Sequence, residues 1–246
     1  VILKRLLILS TDTAHHRYFI NRLLQEKIPI EAVIYETSPV RPSFKTGPFF
    51  ESEQRRFENE NFFRSVKNKL PGHLRPHRVR TVNTERAIKI ISGYDPDLAV
   101  VFGCGKIGLK TISIAKDGLI NIHRGIAEEY RGLDSDLWAV YHGDFENIGI
   151  TIHRVDEGLD TGDILKCVKL PIKKGIRIYQ LRYFTTLLAT NLVIRLMKGY
   201  LKGEGLNFRR QKKEGRYYSF MPLEFKKVAA RRFDVFKKTA ISAFKS

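Results

Sequence analysis

Asp97-Leu98-Ala99-Val100-Val101-Phe102 runs into Gly103-Cys104-Gly105-Lys106-Ile107-Gly108 and, after a short interval, Leu119-Ile120-Asn121-Ile122-His123. The first segment is an unbroken apolar run bounded by glycine, as expected of a strand buried on both faces of a parallel sheet. The glycines match G-x-G-x-x-G, the pattern of a turn whose backbone N–H groups face a pyrophosphate. Such a turn should open a full helix and be followed by a strand that ends in an acid. Here only a short helical stretch intervenes, and the next strand ends in Asn and His. The glycines are therefore read as points where backbone approaches a ligand at the carboxyl end of a strand, without a dinucleotide.

Toward the N-terminus, short apolar runs alternate with amphipathic segments, the order of βαβ units around a mostly parallel sheet. Strands are expected at about 4–10, 29–36, 77–82 and 97–102. A helix from Ala14 to Lys27 carries Tyr18, Phe19, Leu23 and Leu24 on one stripe and opens after Thr11-Asp12-Thr13, residues suited to capping. Pro39, Pro42, Gly47 and Pro48 make 37–50 a loop, and 51–69 reads as a helix, either a lid or a surface helix covering the sheet. After 150 the pattern predicts strands at about 149–155 and 163–169 and a long helix at about 177–199. A small strand around Arg216 to Phe220 and a final helix from about 223 complete it.

The 246 residues are 43% hydrophobic and 28% charged, and no apolar run approaches the roughly 20 residues of a membrane span. Val1 to Ser10 is read as a first buried strand, because its apolar part is short and no small-residue cleavage site follows. Cys104 and Cys167 are the only cysteines, which excludes a disulfide framework and paired zinc-ligand spacing and suits a reducing cytoplasm. The formal charge of +18 raises the question of an anionic partner. Residues 201–246 hold 13 Lys/Arg against 4 Asp/Glu, so half of the excess lies in less than a fifth of the chain.

Strand alternation puts Asn121 and His123 on one face with Ile122 on the other. An amide donor beside an imidazole suits stabilisation of an acyl-transfer oxyanion, although Asn-x-His alone is a weak signal. The second cluster is Val155-Asp156-Glu157-Gly158-Leu159-Asp160-Thr161-Gly162-Asp163, an acidic turn between apolar strands that lacks the twelve-residue calcium pattern. A carboxylate beside His123 would raise its pKa and fix its tautomer, which makes Asp160 its candidate partner.

Val100 to Ile172 resembles the catalytic core of the 10-formyltetrahydrofolate-dependent formyltransferases, whose members act on methionyl-tRNA, glycinamide ribonucleotide and amino sugars. The likeness rests on Asn121-Ile122-His123, then Tyr130-Arg131-Gly132 with Gly143-Asp144, then Gly149 to His153 leading into Asp156 to Leu165. It implies an α/β fold with a Rossmann-like, mostly parallel sheet and helices on both faces. The catalytic domain would span 1–172, with a helical, basic C-terminal extension at 173–246. It implies Asn121, His123 and Asp160 as catalytic residues, and a folate pocket lined by Phe102, Gly103, Cys104, Gly105, Lys106 and Ile107 and by His153, Val155, Asp156, Glu157 and Gly158. 10-Formyltetrahydrofolate would be the co-substrate, with no metal. A neutral amine would attack the formyl carbon, Asn121 and protonated His123 would stabilise the oxyanion, and Asp160 would orient His123.

The family continues N-x-H with a small residue, Ser, two Leu and Pro, where this chain has Arg124-Gly125-Ile126-Ala127-Glu128-Glu129. Arg124, Gly125, Tyr130 and Arg131 are thus the candidate acceptor contacts, with altered specificity. Charge favours tRNA, but the length after Pro171 argues against the family's tRNA enzymes, so a nucleotide-linked amino sugar is preferred. Arg124, Arg131, Lys106 and the Arg75 to Arg80 region are candidates for its diphosphate. A non-catalytic folate- or nucleotide-binding module and an RNA-binding accessory protein remain alternatives. On the final helix, Phe225, Val228, Ala229, Phe233, Phe236, Ala240 and Phe244 oppose Lys226, Lys227, Arg231, Lys237 and Lys238. That face would dock on the domain, on a second copy in a homodimer, or on an anionic membrane.

Overall fold

The computed structural model describes residues 4–242 apart from 39, 45 and 174, with side chains described up to residue 236. Val1 to Leu3, Pro39 and Phe244, and the side chains of Lys237, Lys238 and Ala240, lie outside the described residues. In chain order the elements are β1 (Leu6–Ser10), α1 (Ala14–Gln25), β2 (Ile30–Glu36), α2 (Glu51–Phe62), β3 (His77–Val79), α3 (Glu85–Gly93), β4 (Leu98–Phe102) and α4 (Leu109–Ile112). They continue with β5 (Leu119–His123), β6 (Tyr130–Gly132), α5 (Ser135–His142), β7 (Gly149–Arg154), β8 (Ile164–Lys169), α6 (Leu181–Leu201), β9 (Arg216–Tyr218) and α7 (Leu223–Ser242).

Seven strands form one sheet in the order β3-β2-β1-β4-β5-β7-β8, and β6 and β9 form a separate pair. β3, β2, β1, β4 and β5 run parallel, whereas β5–β7 and β7–β8 are antiparallel. Strand alternation divides the core. Leu6 and Ile8 face α1 and α6 with Phe19, Val193 and Met197, while Leu7 and Leu9 face α3 with Ala87 and Ile91. From β1 the chain winds outward to β2 and β3, and then crosses back to β4. The loops after β1 and β4 therefore part, which opens a crevice at the carboxyl ends of these two strands.

Two expectations change. Thr13 caps α1 in backbone position but makes no side-chain cap; its hydroxyl meets His15 and His16 instead. α2 ends at Phe62 and covers α1 and α6 rather than the sheet, stacking Phe62 on Tyr18 and burying Glu58 against Arg182. No break in packing separates 172 from 173, because Ala189, Leu192, Val193 and Met197 of α6 enter the same core as β1, β4, β5 and β7. The apolar face of α7 is docked on α5: Ala229 and Phe233 are buried with Trp138 and Val140, and Phe236 stacks on Phe145 at 3.9 Å. A membrane could meet that face only if the helix first undocked. Among the described residues no helix is long and apolar enough to cross a membrane.

Candidate active site

β5 sends Ile120 and Ile122 into the core and turns Asn121 and His123 the other way. Because β7 pairs antiparallel with β5, His153 stands directly opposite Asn121. The hairpin between β7 and β8 then folds back over both. Its residue Asp160 has a left-handed backbone (φ 58°), a conformation that Asp tolerates better than most residues. Gln211 Nε2 pins the turn by donating to the Asp160 and Gly162 carbonyls at 2.8 and 2.9 Å, and Arg131 Nη1 donates to the Leu159 carbonyl at 3.1 Å.

Asp160 is the hub of this corner. Its Oδ1 lies 3.2 Å from Asn121 Nδ2 and 3.2 Å from His153 Nε2. Its Oδ2 lies 3.2 Å from His123 Nδ1 and accepts the Gly132 N–H at 2.8 Å. Burial alone would raise the Asp160 pKa, but His123, His153 and the Gly132 N–H outweigh it and hold the carboxyl well below the usual range. For His123 the balance falls the other way. Burial pulls its pKa down, against the raising influence of Asp160 and the Tyr130 carbonyl. The expected rise is therefore reversed, because the ring is only 5% exposed.

Hydrogen-bond accounting defines what the pair can do. His123 Nε2 donates to the Tyr130 carbonyl at 2.7 Å, so its hydrogen is committed there. Nδ1 then faces a carboxylate that can only accept. With one added proton, the Nδ1–Oδ2 contact becomes a charge-assisted hydrogen bond. Without it, Nδ1 and Asp160 are ready to receive one. His153 Nδ1 donates to its neighbour's carbonyl, Arg154 O, at 2.8 Å, which leaves Nε2 to accept from the Asn121 amide at 3.2 Å.

The corner forms one wall of a cavity of about 360 Å³ in the crevice between the β1 and β4 loops. Phe102 through Ile107 line it, as do His153, Val155, Asp156 and Gly158. Gly103 has φ 86°, and a Cβ there would overlap the His16 ring, so this position needs glycine twice over. The Gly105 N–H donates to Glu36 Oε1 at 2.9 Å, which ties the loop to β2.

A model of the formyl transferase family matches residues 4–186. This chain belongs to the formyl transferase family. It is 43% identical over 93 residues to a methionyl-tRNA formyltransferase of Desulfotalea psychrophila, a match that covers 37% of this chain and 28% of that protein. The chain thus spans well under two thirds of this curated relative. Its fold is similar to that of a sugar N-formyltransferase from a Shewanella species, at 16% identity and a TM-score of 0.62, over 93% of this chain and 87% of the other. It is also similar to HypX of Aquifex aeolicus, solved with tetrahydrofolic acid, at 16% identity and a TM-score of 0.59, over 90% of this chain and 30% of the other.

Within this family member, the residues expected from the sequence separate into those that line the cavity and those that support it. Glu157 is exposed on the hairpin and does not line the cavity, unlike its neighbours Asp156 and Gly158. Of the four acceptor candidates, Arg124 borders the cavity. Gly125 is packed against His123 and Ser135, where a side chain would collide with the imidazole. The Tyr130 hydroxyl donates to Asp144 at 3.0 Å, and its carbonyl holds His123. Arg131 is committed to Gly215, Leu159 and Glu214. For the diphosphate candidates, Lys106 lines the cavity, whereas Arg78 pairs with Asp12 at 2.5 Å.

The sequence reading missed His15 and His16, which line the opposite wall of the cavity. Their rings lie 3.9 Å apart, and both pack edge-on against Phe102. His16 Nδ1 meets the Thr11 and Thr13 hydroxyls at 2.7 and 2.9 Å. Burial, reinforced by Arg124 and Arg182, holds the His16 pKa at about 3, so the ring is neutral. A signal existed: the two histidines follow the carboxyl end of the first strand, where open α/β sheets bind ligands.

Proposed function

We propose that this chain transfers a formyl group from 10-formyltetrahydrofolate to the primary amine of a small acceptor. The observation that carries this is a single carboxylate, Asp160, gathered by Asn121, His123, His153 and the Gly132 N–H on the wall of a cavity. At about 360 Å³ the cavity falls within the range of small-molecule sites, and its glycine-lined edge leaves backbone groups open to a planar heterocycle. The Phe102 to Ile107 and His153 to Gly158 edges would hold the pterin end. The co-substrate supplies the formyl carbon.

The chain's own groups would do the rest. The Asn121 amide would turn a hydrogen toward the formyl oxygen as negative charge grows there, and removing such a donor costs a factor of about 10² to 10³ in turnover. The His123–Asp160 pair would take the proton that the amine releases as the new C–N bond forms and return it to the folate nitrogen as the old formyl C–N bond breaks, so that a formamide and tetrahydrofolate leave. The fixed geometry of strand, hairpin and backbone N–H would hold these groups ready without reorganisation.

For the acceptor, the preferred reading is an amino sugar linked to a nucleotide, in keeping with the sugar N-formyltransferase among the structural relatives. The 43% identity to a methionyl-tRNA formyltransferase favours a second reading, initiator tRNA. Incubation with 10-formyltetrahydrofolate and each acceptor class, read by mass spectrometry, separates them. Formylated amino-sugar nucleotide supports the first reading, and formyl-methionyl-tRNA alone overturns it in favour of the second. Tight folate binding with no formylated product would leave only a binding module.

A further inference from the structure

A second cavity, of about 260 Å³, adjoins the first. Arg124 and Asp134 line both and stand between them. The rest of its wall comes from the Thr46 loop and from α2, α5, α6 and α7, and it is rich in charge. The cations there are matched. Arg182 donates to the buried Glu58 carboxylate at 2.6 and 2.8 Å, Lys226 pairs with Glu51, and Arg124 reaches Asp136 at 3.5 Å.

Asp134 differs from those carboxylates. Its Oδ2 accepts the Met221 N–H at 2.9 Å, but Oδ1 has no hydrogen-bond partner and the residue no salt bridge among the described residues. Burial, joined by the nearby charge of Asp136, pushes its pKa up and outweighs the lowering influence of the Met221 N–H and of the Arg124 and Lys226 charges, neither of which pairs with it directly. It thus offers a free oxygen at the junction of an acyl-transfer corner and an adjoining chamber. The matched charges around that chamber present donors and acceptors without net charge, which complements hydroxyl groups, since each hydroxyl both donates and accepts. Arg124, held by one 3.5 Å contact, keeps further donors for the same purpose. At about 260 Å³ the volume admits a single ring and lies below the usual span for drug-sized ligands.

On the basis of the formyl-transfer reading, we infer that the second cavity is the acceptor chamber. Asp134 Oδ1 accepts an N–H hydrogen bond from the neutral amine of a compact, hydroxyl-rich acceptor, one ring in size. The ring occupies the chamber, and its nitrogen faces Asn121, His123 and Asp160. Any nucleotide attached to that ring lies outside the chamber.

The test uses the full chain, 10-formyltetrahydrofolate and glucosamine, with hexylamine as a hydroxyl-free control. Asp134→Asn keeps an oxygen for Met221, and Thr46→Trp fills the chamber from a loop. Each is expected to raise the glucosamine KM by at least about tenfold, as loss of a charge-assisted contact or of space would, while the KM for 10-formyltetrahydrofolate stays within about twofold. Hexylamine is expected to be the poorer acceptor. Calorimetric binding of glucosamine, independent of turnover, should weaken in parallel. Unchanged glucosamine KM and binding in both variants would overturn the chamber while leaving formyl transfer intact. Glucosamine binding that is lost in Asp134→Asn, with no formyl transfer to any amine, would keep the chamber and remove the reaction.

Discussion

The two walls that meet at Arg124 and Asp134 are built differently. The proposed catalytic corner stands on strands: Asn121 and His123 on β5, His153 across on β7, and Asp160 on a hairpin fixed by Gln211 and the Gly132 N–H. The chamber beside it is walled largely by α2, α6 and α7, joined by ion pairs such as Arg182–Glu58 and Lys226–Glu51. In the corner, polar groups converge on one reactive point. In the chamber wall, they mainly satisfy one another and hold the helices together. The difference implies that a substitution in the corner should cost chemistry with little stability, and one in the helical wall the reverse.

The largest expected effect lies in the helical wall. Arg182→Met strands the Glu58 carboxylate, which is only 1% exposed, and should lower unfolding free energy by about 3–5 kcal/mol in chemical denaturation. Phe233→Ala empties a fully buried site under α7 and should cost a similar amount, about 3–5 kcal/mol. A loss below about 1 kcal/mol would mean that α7 is not docked as described. In Phe233→Ala, turnover per folded molecule should stay near normal, whereas Arg182 lines the proposed acceptor chamber, so Arg182→Met should also raise the acceptor KM.

A smaller effect of the opposite kind is expected at Gln211. Gln211→Ala frees the Asp160 turn and should lower kcat about tenfold with little change in KM, since small misplacements of catalytic groups are costly. Its midpoint of unfolding should move by only a few degrees. If stability fell and kcat did not, the contrast between the walls would fail. A separate effect, read in pH rather than in rate, is the response of His16, neutral when folded with a pKa of about 3 and near 6.5 when unfolded. Because its folded pKa is depressed, protons bind the unfolded chain preferentially as pH falls below 6.5, and stability is lost toward the folded pKa. His16→Gln should flatten that fall by about 1.4 kcal/mol per pH unit between pH 6 and 4.

The same contrast explains what the sequence made legible. Alternation in Leu119 to His123 aimed Asn121 and His123 together, and the ordered motif blocks brought in Asp160. His153 was expected only as a lining residue, because its place opposite Asn121 follows from an antiparallel pairing that no local pattern encodes. The chamber was illegible for a related reason. It joins Thr46, Asp134, Arg182 and Lys226, and their proximity depends on how α6 and α7 pack. The place of α6 in the core was hidden on the same ground: a long apolar helix after the last strand looks like an appendage until its partners in the sheet are known. Tyr130 and Arg131 read as acceptor contacts because polar groups near a motif invite that role, yet backbone and neighbouring acids claim them.

The most direct test of the central claim follows a ¹³C label from the formyl group of 10-formyltetrahydrofolate into an amine, in the wild-type chain and in Asn121→Ala, His123→Ala and Asp160→Ala. The expected result is a labelled formamide from the wild type, with each variant slower by about a hundredfold or more while its circular dichroism is unchanged. Label that never leaves the folate carrier, or that leaves at the wild-type rate in all three variants, would contradict the account.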